Sequence, residues 1–240
     1  MSKSATKNAP VGAWTFSGST LAILKNFATI RNSILIEPGQ TITTLSPSKH
    51  ILGEAKVDEV FDKQFAIFDL NQFLAVVGLF ENPTFLWEEK YVRICGKDGT
   101  EVKYIYADPD VIQIKNKKVT SALTPVVVFD WTEDQFDEVN NAARLLQLPH
   151  IGVRSAEEGG IEIIATDTEN DSCNTFVSKI GSDSVDPNST ADSFSFVFDR
   201  DNLKILPGNY KVTIHSQNVA KFENNDKPLT YWITLQIPAN

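Results

Sequence analysis

The stretch Phe65 to Asn71 reads Phe-Ala-Ile-Phe-Asp-Leu-Asn, and the stretch Ser195 to Asp201 reads Ser-Phe-Val-Phe-Asp-Arg-Asp. Each begins as an alternating apolar run, the pattern of a half-buried strand. Each then reaches an aspartate, whose carboxylate can accept hydrogen bonds from the amides of a helix's first turn. The two stretches lie 130 residues apart. We therefore predict two halves built on one plan, with a strand leading into a helix capped by Asp69 or Asp199.

Each half also carries an amphipathic helix ahead of its repeat. In the first half the helix is predicted over about residues 19–32, with a buried stripe at three- and four-residue spacing formed by Leu24, Phe27, Ile30 and Ile34. In the second half Thr132-Glu-Asp-Gln135 is a capping box, and the helix behind it runs to about Leu148, before a proline. We further predict a largely buried helix over 70–80 and a short helix after Asp199, ended by Pro207-Gly208.

The remaining apolar runs are predicted to be strands. Pro38-Gly39 and Lys97-Asp98-Gly99 are turn signals, and the second of these predicts a hairpin between residues 85–95 and 101–107. Because amphipathic helices must lay one face on a sheet, we expect an α+β fold that occurs twice. The predicted boundaries are a flexible tail over 1–15, an N-terminal domain over 16–112 and a C-terminal domain over 113–240.

Composition limits the possible functions. The net charge is −9, from 31 acidic and 22 basic residues, whereas nucleic-acid-binding domains are usually basic. Any contact with a polyanion must therefore rest on a local basic surface. No apolar run reaches the roughly 18 residues of a membrane-spanning helix, and the N-terminus lacks the apolar stretch of a secretory signal. Cys95 and Cys173 fall in different halves, which argues against a disulfide framework and favours a reducing cytoplasm.

No catalytic constellation emerges from the residues. His50, His150 and His215 are scattered and lack metal-ligand spacing. There is no glycine-rich phosphate loop, and neither cysteine has the surroundings of a catalytic nucleophile. Adjacent acidic pairs such as Glu88-Glu89 point to opposite faces of a strand, so they do not form a shared carboxylate site. The sequence predicts a protein that is not an enzyme and that binds no metal or cofactor.

Several segments, in order, resemble one family. Residues 21–30 (Leu-Ala-Ile-Leu-Lys-Asn-Phe-Ala-Thr-Ile) resemble the opening helix of the sliding clamps of T-even-type tailed bacteriophages, and residues 67–74 resemble the middle segment of that family. The C-terminal segment is similar at 207–211 and 220–223, and the connection between the halves is similar at Asp108-Pro109 and Asn116-Lys117. The resemblance covers roughly residues 16–240. It departs from the family before Trp14, at 88–99 and 167–192, and in the ending at 236–240.

The resemblance implies a DNA sliding clamp, a ring-shaped processivity factor. In such a ring, two-domain subunits close head to tail as a homotrimer, with helices lining the interior and antiparallel sheets outside. The implied partners are encircled double-stranded DNA, bound without sequence preference, the phage DNA polymerase and an ATP-driven clamp loader, with late-transcription factors as a further candidate. The implied location is the cytoplasm of the infected bacterial host, with no membrane contact.

The helices are the expected lining of such a ring, so basic residues on their exposed faces are the candidate DNA contacts. These candidates are Lys25, Arg31, Arg144, Arg200 and Lys204. Each could equally be an ordinary solvated surface charge. Lys115, Lys117 and Lys118 are read as plain loop charges, because no aromatic residue accompanies them for base stacking. The apolar run over 122–127 is a candidate docking region for partner peptides, although a buried strand is the stronger interpretation.

Two other classes of function stay open at this point. Duplicated β-rich domains also build viral capsids and tails, and a small-molecule enzyme with an unrecognised site is a weaker alternative. A structural shell has no reason to place Lys25 and Arg144 on one common surface, so the placement of these residues discriminates between the classes.

Overall fold

The computed structural model describes residues 13–112, 123–157, 159–186 and 193–237. Within these ranges the chain forms three α-helices: α1 (Gly18–Ile30), α2 (Leu70–Val77) and α3 (Glu133–Leu145). The strands in the same ranges are β1 (Ala13–Trp14), β2 (Ile34–Ile36), β3 (Gly39–Leu45), β4 (Ile51–Phe61), β5 (Phe65–Ile67), β6 (Thr84–Trp87), β7 (Tyr91–Cys95), β8 (Glu101–Ile105), β9 (Pro125–Trp131), β10 (His150–Ser155), β11 (Ile161–Thr166), β12 (Phe176–Ile180), β13 (Ser195–Asp199), β14 (Tyr210–His215), β15 (Val219–Asn224) and β16 (Leu229–Thr234).

The chain divides into two compact units that are not simple halves of the sequence. The described residues of 1–41 and 57–114 form the first unit, and those of 42–56 and 115–240 form the second. The chain crosses between the units within β3 and again within β4. A segment from early in the sequence is therefore part of the second unit.

The first unit packs α1 and α2 against each other and against an aromatic core. Its main antiparallel sheet has the strand order β1-β6-β7-β8, and β2 pairs separately with β5. The core gathers rings whose centroids lie between 4.5 and 6.5 Å apart, contributed by Phe16, Phe61, Phe65, Phe73, Phe85 and Trp87. Burial of rings at these separations supplies much of the driving force for folding the unit.

The second unit contains two antiparallel sheets. One has the order β12-β11-β10-β13, and α3 packs across β10, β11 and β12 by burying Val139 and Ala143. The other has six strands in the order β3-β4-β16-β15-β14-β9. In it β16 pairs with β4 from Ala55↔Leu229 to Ile51↔Ile233. The expected α+β organisation with predominantly antiparallel sheets is confirmed.

The predicted helix ends need correction. α1 stops at Ile30, because Arg31 is its extended C-cap residue, and Ile34 lies in β2 and not in the helical stripe. α2 stops at Val77, three residues early, and only one side of it is buried. Its buried residues are Leu70, Phe73 and Val77, while Leu79 just beyond its end is 72% exposed. The high apolar content of this segment therefore does not translate into burial on all sides.

The two repeated aspartates behave differently. The Asp69 carboxylate accepts from the Gln72 amide at 2.8 Å and caps α2, as predicted. Asp199 makes no cap hydrogen bond, and the predicted helix behind it is a single 3₁₀ turn over Arg200–Asn202. The prediction of a helix-capping role for Asp199 is wrong. Its carboxylate instead accepts from the side-chain amides of Gln236 at 2.7 Å and Asn202 at 3.2 Å.

The predicted tail and connection fall largely outside the described residues. Residues 1–12, the three loop lysines Lys115, Lys117 and Lys118, and Ala122 of the apolar run are not described. Ala13–Trp14 belong to the predicted tail, yet they pair as β1 with Leu86 and Phe85. The tail boundary at residue 15 therefore needs correction at these two positions.

Candidate functional site

Of the candidate basic residues in the first unit, Lys25 is the one best placed to bind an external anion. α1 is held at its start by the Ser17 hydroxyl, which accepts from the Thr20 amide at 3.1 Å, and by the carboxylate of Glu59, which accepts from the amide of Ser17. The helix buries Leu24 and Phe27, so Lys25 points to solvent. Among the described residues its ammonium has no hydrogen bond or ion pair, which leaves it available for an external anion.

Arg31 lies differently from the sequence expectation. It is half-buried beyond the end of α1, and its Nε donates to the Ser33 hydroxyl at 3.0 Å. It is therefore not part of an exposed helical stripe with Lys25. Part of its hydrogen-bonding capacity is already used within the unit.

Arg144 is exposed near the end of α3. The predicted capping box is present, with the Thr132 hydroxyl accepting from the Gln135 amide and the Gln135 side chain accepting from the Thr132 amide. Asp134 and Asp137 are exposed near the start of the same helix. Negative charge in the first turn and positive charge in the last turn suit the helix dipole. The exposed face of α3 is therefore acidic at its start and basic at its end.

Arg200 and Lys204 do not lie on a helix, contrary to expectation. The half-buried Arg200 donates from Nη1 to the carbonyl of Ala143 at 3.2 Å, so it braces the carboxyl end of α3 and stands at the same end of the helix as Arg144. Lys204 is exposed in the irregular segment after the 3₁₀ turn. Arg200 thus has a structural role that sequence inspection did not indicate.

A small cavity lies between α1 and α2. Its volume is about 150 Å³, and Lys25 lies at its rim among apolar side chains that include Leu21, Leu74 and Val77. No acidic side chain lines it. The cavity places an apolar surface directly beside the best-placed basic residue of the unit.

The end of the apolar run contacts a histidine that the sequence treated as isolated. Pro125 opposes His215 where β9 meets β14, the Ser216 amide donates to the Thr124 carbonyl at 3.0 Å, and the Thr124 amide donates to Gln217 Oε1 at 3.3 Å. In β9 the side chains of Val127, Phe129 and Trp131 are buried. The buried-strand interpretation of the described part of this run is thus confirmed for Val127, while Thr124 and Pro125 are exposed.

His215 itself is buried, with 6% of its surface exposed, and its ring stacks on Trp232 at 6.0 Å. Lys221 Nζ lies 5.4 Å from the centre of the same indole and pairs with Glu223 at 2.6 Å. Burial, and next the positive charge of Lys221, lower the pKa of His215, so its imidazole is neutral at physiological pH. No sequence signal distinguished this histidine from the other two.

Two edge strands expose large apolar side chains. β8 ends its sheet in the first unit, and Ile105 on it is 60% exposed. β12 ends its sheet in the second unit, and Val177 on it is 44% exposed. An edge strand offers unpaired backbone groups to another chain, and exposed apolar side chains strengthen such pairing. The sequence analysis missed both strands as candidate interfaces.

The described residues contain no cluster of three or more His, Cys, Asp or Glu side chains that could hold a metal ion. His50 Nδ1 lies 2.7 Å from the Thr234 hydroxyl, and His150 Nδ1 accepts from the Thr168 amide at 3.1 Å. These two imidazoles are bonded into the fold. No described helix is both long and apolar enough to cross a bilayer.

Comparison with known families gives matches in both parts of the chain. Residues 17–84 match the family described as DNA polymerase processivity factor, and residues 128–237 match the family described as gp45 sliding clamp, C terminal. A protein of Vibrio phage KVP40 named sliding clamp is 31% identical over 85% of this chain and 91% of its own length. A protein of Enterobacteria phage T4 with the same name is 31% identical over 86% of this chain and 91% of its own length.

Solved structures give the same fold at low identity. The chain resembles A. fulgidus PCNA, solved with the C-terminal region of FEN-1 bound, with a TM-score of 0.71, 14% identity, and coverage of 95% of this chain and 99% of that one. It resembles PCNA from Entamoeba histolytica with a TM-score of 0.68, 10% identity, and coverage of 94% and 98%.

Proposed function

The chain belongs to the sliding-clamp family of DNA polymerase processivity factors, and from that premise we propose that three copies close head to tail into a ring around duplex DNA. The observation that carries the proposal is the pair of family matches, which fall in order on residues 17–84 and 128–237. In the ring the helices face the DNA and the sheets lie outside. The clamp keeps its polymerase on the template through topology and performs no chemistry itself.

Ring closure is supported by the two apolar edge strands. A head-to-tail contact joins unlike surfaces of successive copies, and it closes into a ring when the rotation between copies permits. β8, which carries Ile105, and β12, which carries Val177, have the same length and each lie at the edge of a different sheet. They therefore offer two unlike surfaces that could pair. We propose that β8 of one copy pairs with β12 of the next.

Light scattering tests this ring. We expect the mass of a trimer for the wild-type protein, and a shift towards monomer for Ile105→Asp and for Val177→Asp, because a carboxylate buried in the interface lacks a partner. Val60→Asp is the matched control, since Val60 is 59% exposed on β4, which is an inner strand of its sheet. A wild-type protein that is monomeric at working concentration would contradict the ring.

The DNA-facing surface is proposed to be sparse. Lys25 and Arg144 project from α1 and α3 as exposed side chains, with Lys204 as a further contact, while Arg31 and Arg200 contribute less because they bond within their own units. Few phosphate contacts give weak, salt-sensitive and sequence-independent binding. Such binding suits sliding, because the closed ring and not the contact energy holds the DNA.

Charge reversal tests the lining. We expect the double variant Lys25→Glu with Arg144→Glu to keep the wild-type mass but to shorten the products of primer extension by its cognate polymerase in the presence of loader and ATP. The loss should be greatest at low salt, where phosphate contacts are strongest. Lys97→Glu, in the β7–β8 turn, is the control. Product lengths equal to wild type would remove the assignment of Lys25 and Arg144.

The polymerase is proposed to dock through a peptide on the second unit. The bound C-terminal region in the A. fulgidus PCNA structure is a precedent for docking by a short chain end. In this chain the exposed Thr124 and Pro125 and the adjoining His215–Trp232 corner are the proposed docking surface. Binding of a peptide from the carboxyl terminus of the polymerase encoded by the same genome tests this, with a scrambled peptide as control.

The remaining partners follow from the same proposal. An ATP-driven loader opens the ring on DNA, and late-transcription factors share the clamp with the polymerase. The curated relatives are phage proteins, which supports action in the cytoplasm of an infected bacterial host. Processive synthesis that depends on loader, ATP and this protein together is the decisive assay, and an unchanged product length on adding the protein would refute the function.

A further inference from the structure

We propose that His215 is a specificity-determining residue for the partner peptide, and that its imidazole pairs with a polar amide of the peptide, from a side chain or the backbone. The inference rests on the proposed docking of a polymerase peptide beside Thr124 and Pro125. It adds a hydrogen-bonding requirement to a surface that is otherwise apolar and aromatic.

The first observation is an unsatisfied buried imidazole. Neither ring nitrogen of His215 is exposed, and neither forms a hydrogen bond with the part of the chain that the structure describes. The backbone of Thr124 adjoins the ring as a weak hydrogen-bond partner that raises the pKa of His215, but the contact lies outside ordinary hydrogen-bond geometry. Buried polar side chains in native proteins nearly always have a partner, so an exception calls for an explanation.

The second observation is a contrast within the same unit. His50 and His150, the other two histidines of the chain, are bonded to Thr234 and Thr168. His215 stacks on Trp232, a contact that a phenylalanine would make equally well. The nitrogens therefore contribute nothing to the packing seen here and lower the stability of the unit.

The third observation concerns the position of the histidine. The β9–β14 register shifts between Ile214 and His215, and β14 ends at His215. Thr124 and Pro125 lie across this end and are exposed, and Thr124 is joined to the strand end by two hydrogen bonds to Ser216 and Gln217. A modest shift of this short segment would open the imidazole to a bound chain.

The local charges define the chemistry of the partner. Lys221 lies by Trp232 and disfavours a cation at this corner, and its own charge is engaged by Glu223. The ring is therefore neutral, with one donor and one acceptor nitrogen. An amide group matches it because an amide also offers both a donor N–H and an acceptor C=O.

Binding of the carboxyl-terminal polymerase peptide, measured by fluorescence anisotropy, tests the inference. We expect His215→Phe to raise Kd roughly tenfold, the effect of losing one typical hydrogen bond, while raising the melting temperature. His215→Gln keeps a donor and an acceptor and should lose less affinity. Replacing peptide amide side chains by alanine should weaken wild-type binding but leave His215→Phe unaffected.

Tyr106→Phe is the matched control. It also removes a buried polar atom that has no hydrogen bond to any described residue, here in the first unit, so it should raise the melting temperature and leave Kd unchanged. If the peptide binds wild type and His215→Phe equally, the role of His215 is refuted. If it does not bind the wild-type protein, the proposed docking fails first. Should His215→Phe not fold, equal weakening by His215→Gln and by His215→Ala would refute the hydrogen-bonding role.

Discussion

The two copies of the Phe-Asp repeat differ in which residue faces the core. Phe68 is 65% exposed and the following Asp69 caps a helix, whereas Phe198 is fully buried and the following Asp199 caps nothing. The first strand, β5, stops at Ile67, which is buried. The second, β13, continues through Asp199, which pairs with His150. Phe68 therefore lies beyond the end of its strand and is turned to solvent, whereas Phe198 lies within its strand and is held against the core.

The difference shows how a duplicated plan diverges without losing its sequence signature. In the first unit the aspartate is free to turn towards the amides of α2. In the second unit Asp199 is fixed in the sheet, and its carboxylate accepts from the side-chain amide of Gln236, whose backbone amide donates to the Val197 carbonyl. Alternation within a strand predicts which residues share a face. How far the strand extends is decided by pairing with the neighbouring strand, which ends at Ile67 in the first unit and continues to Asp199 in the second.

The largest effect is expected from truncating the buried phenylalanine of the second copy, Phe198. Phe198→Ala should lower the free energy of unfolding by about 3–5 kcal/mol, because it opens a cavity beside Phe222, whose ring lies 5.8 Å away. Urea denaturation followed by circular dichroism measures this. A loss below about 1 kcal/mol would mean that the site collapses around the smaller side chain.

An intermediate effect is expected at the aspartates. Asp69→Ala should cost about 1 kcal/mol, the usual value of an N-cap, and Asp69→Asn should restore most of it. Asp199→Ala should cost about 0.5 kcal/mol, because its carboxylate accepts from two side-chain amides and caps no helix among the described residues. Equal losses at the two positions in the same denaturation assay would show that Asp199 supports the fold in a way that capping does not explain.

Acid should lower the stability of the second unit through a residue that has no counterpart in the first. His215 belongs to the second unit, and burial lowers its pKa below its ordinary value of 6.5. As the pH falls below 6.5 the unfolded chain binds a proton that folded His215 resists, so this part of the stability is present above 6.5 and is lost below it. Urea denaturation above and below pH 6.5 should show this loss, and His215→Phe should remove the part that comes from this residue.

The smallest effect is expected for Phe68→Ala. The free energy of unfolding of the isolated subunit should change by less than about 0.5 kcal/mol, because the ring is mostly in solvent. Comparing dilute protein with protein at concentrations that favour assembly sharpens the test. A loss that appears only in assembled protein would place Phe68 in a contact between copies.

Local chemistry was readable from the sequence, whereas long-range pairing was not. The capping box at Thr132, the cap at Asp69 and the β7–β8 hairpin depend on residues close in sequence, and each is confirmed. The His215 corner depends on Thr124, Lys221 and Trp232 meeting from distant parts of the chain, and the role of Arg200 depends on its guanidinium reaching the end of α3. Neither juxtaposition leaves a local sequence pattern.

The pairing of β4 with β16 has a consequence for the order of events during synthesis. Ala55 and Leu229 are neighbours in one sheet, yet 174 positions of the sequence separate them. On the ribosome, the strand that holds Ala55 emerges early and must wait for the final strand before its sheet can be completed. Loop closure over such a distance slows folding. The second unit therefore becomes complete only when translation is nearly finished, and a chain cut short before Leu229 leaves an early strand without its partner.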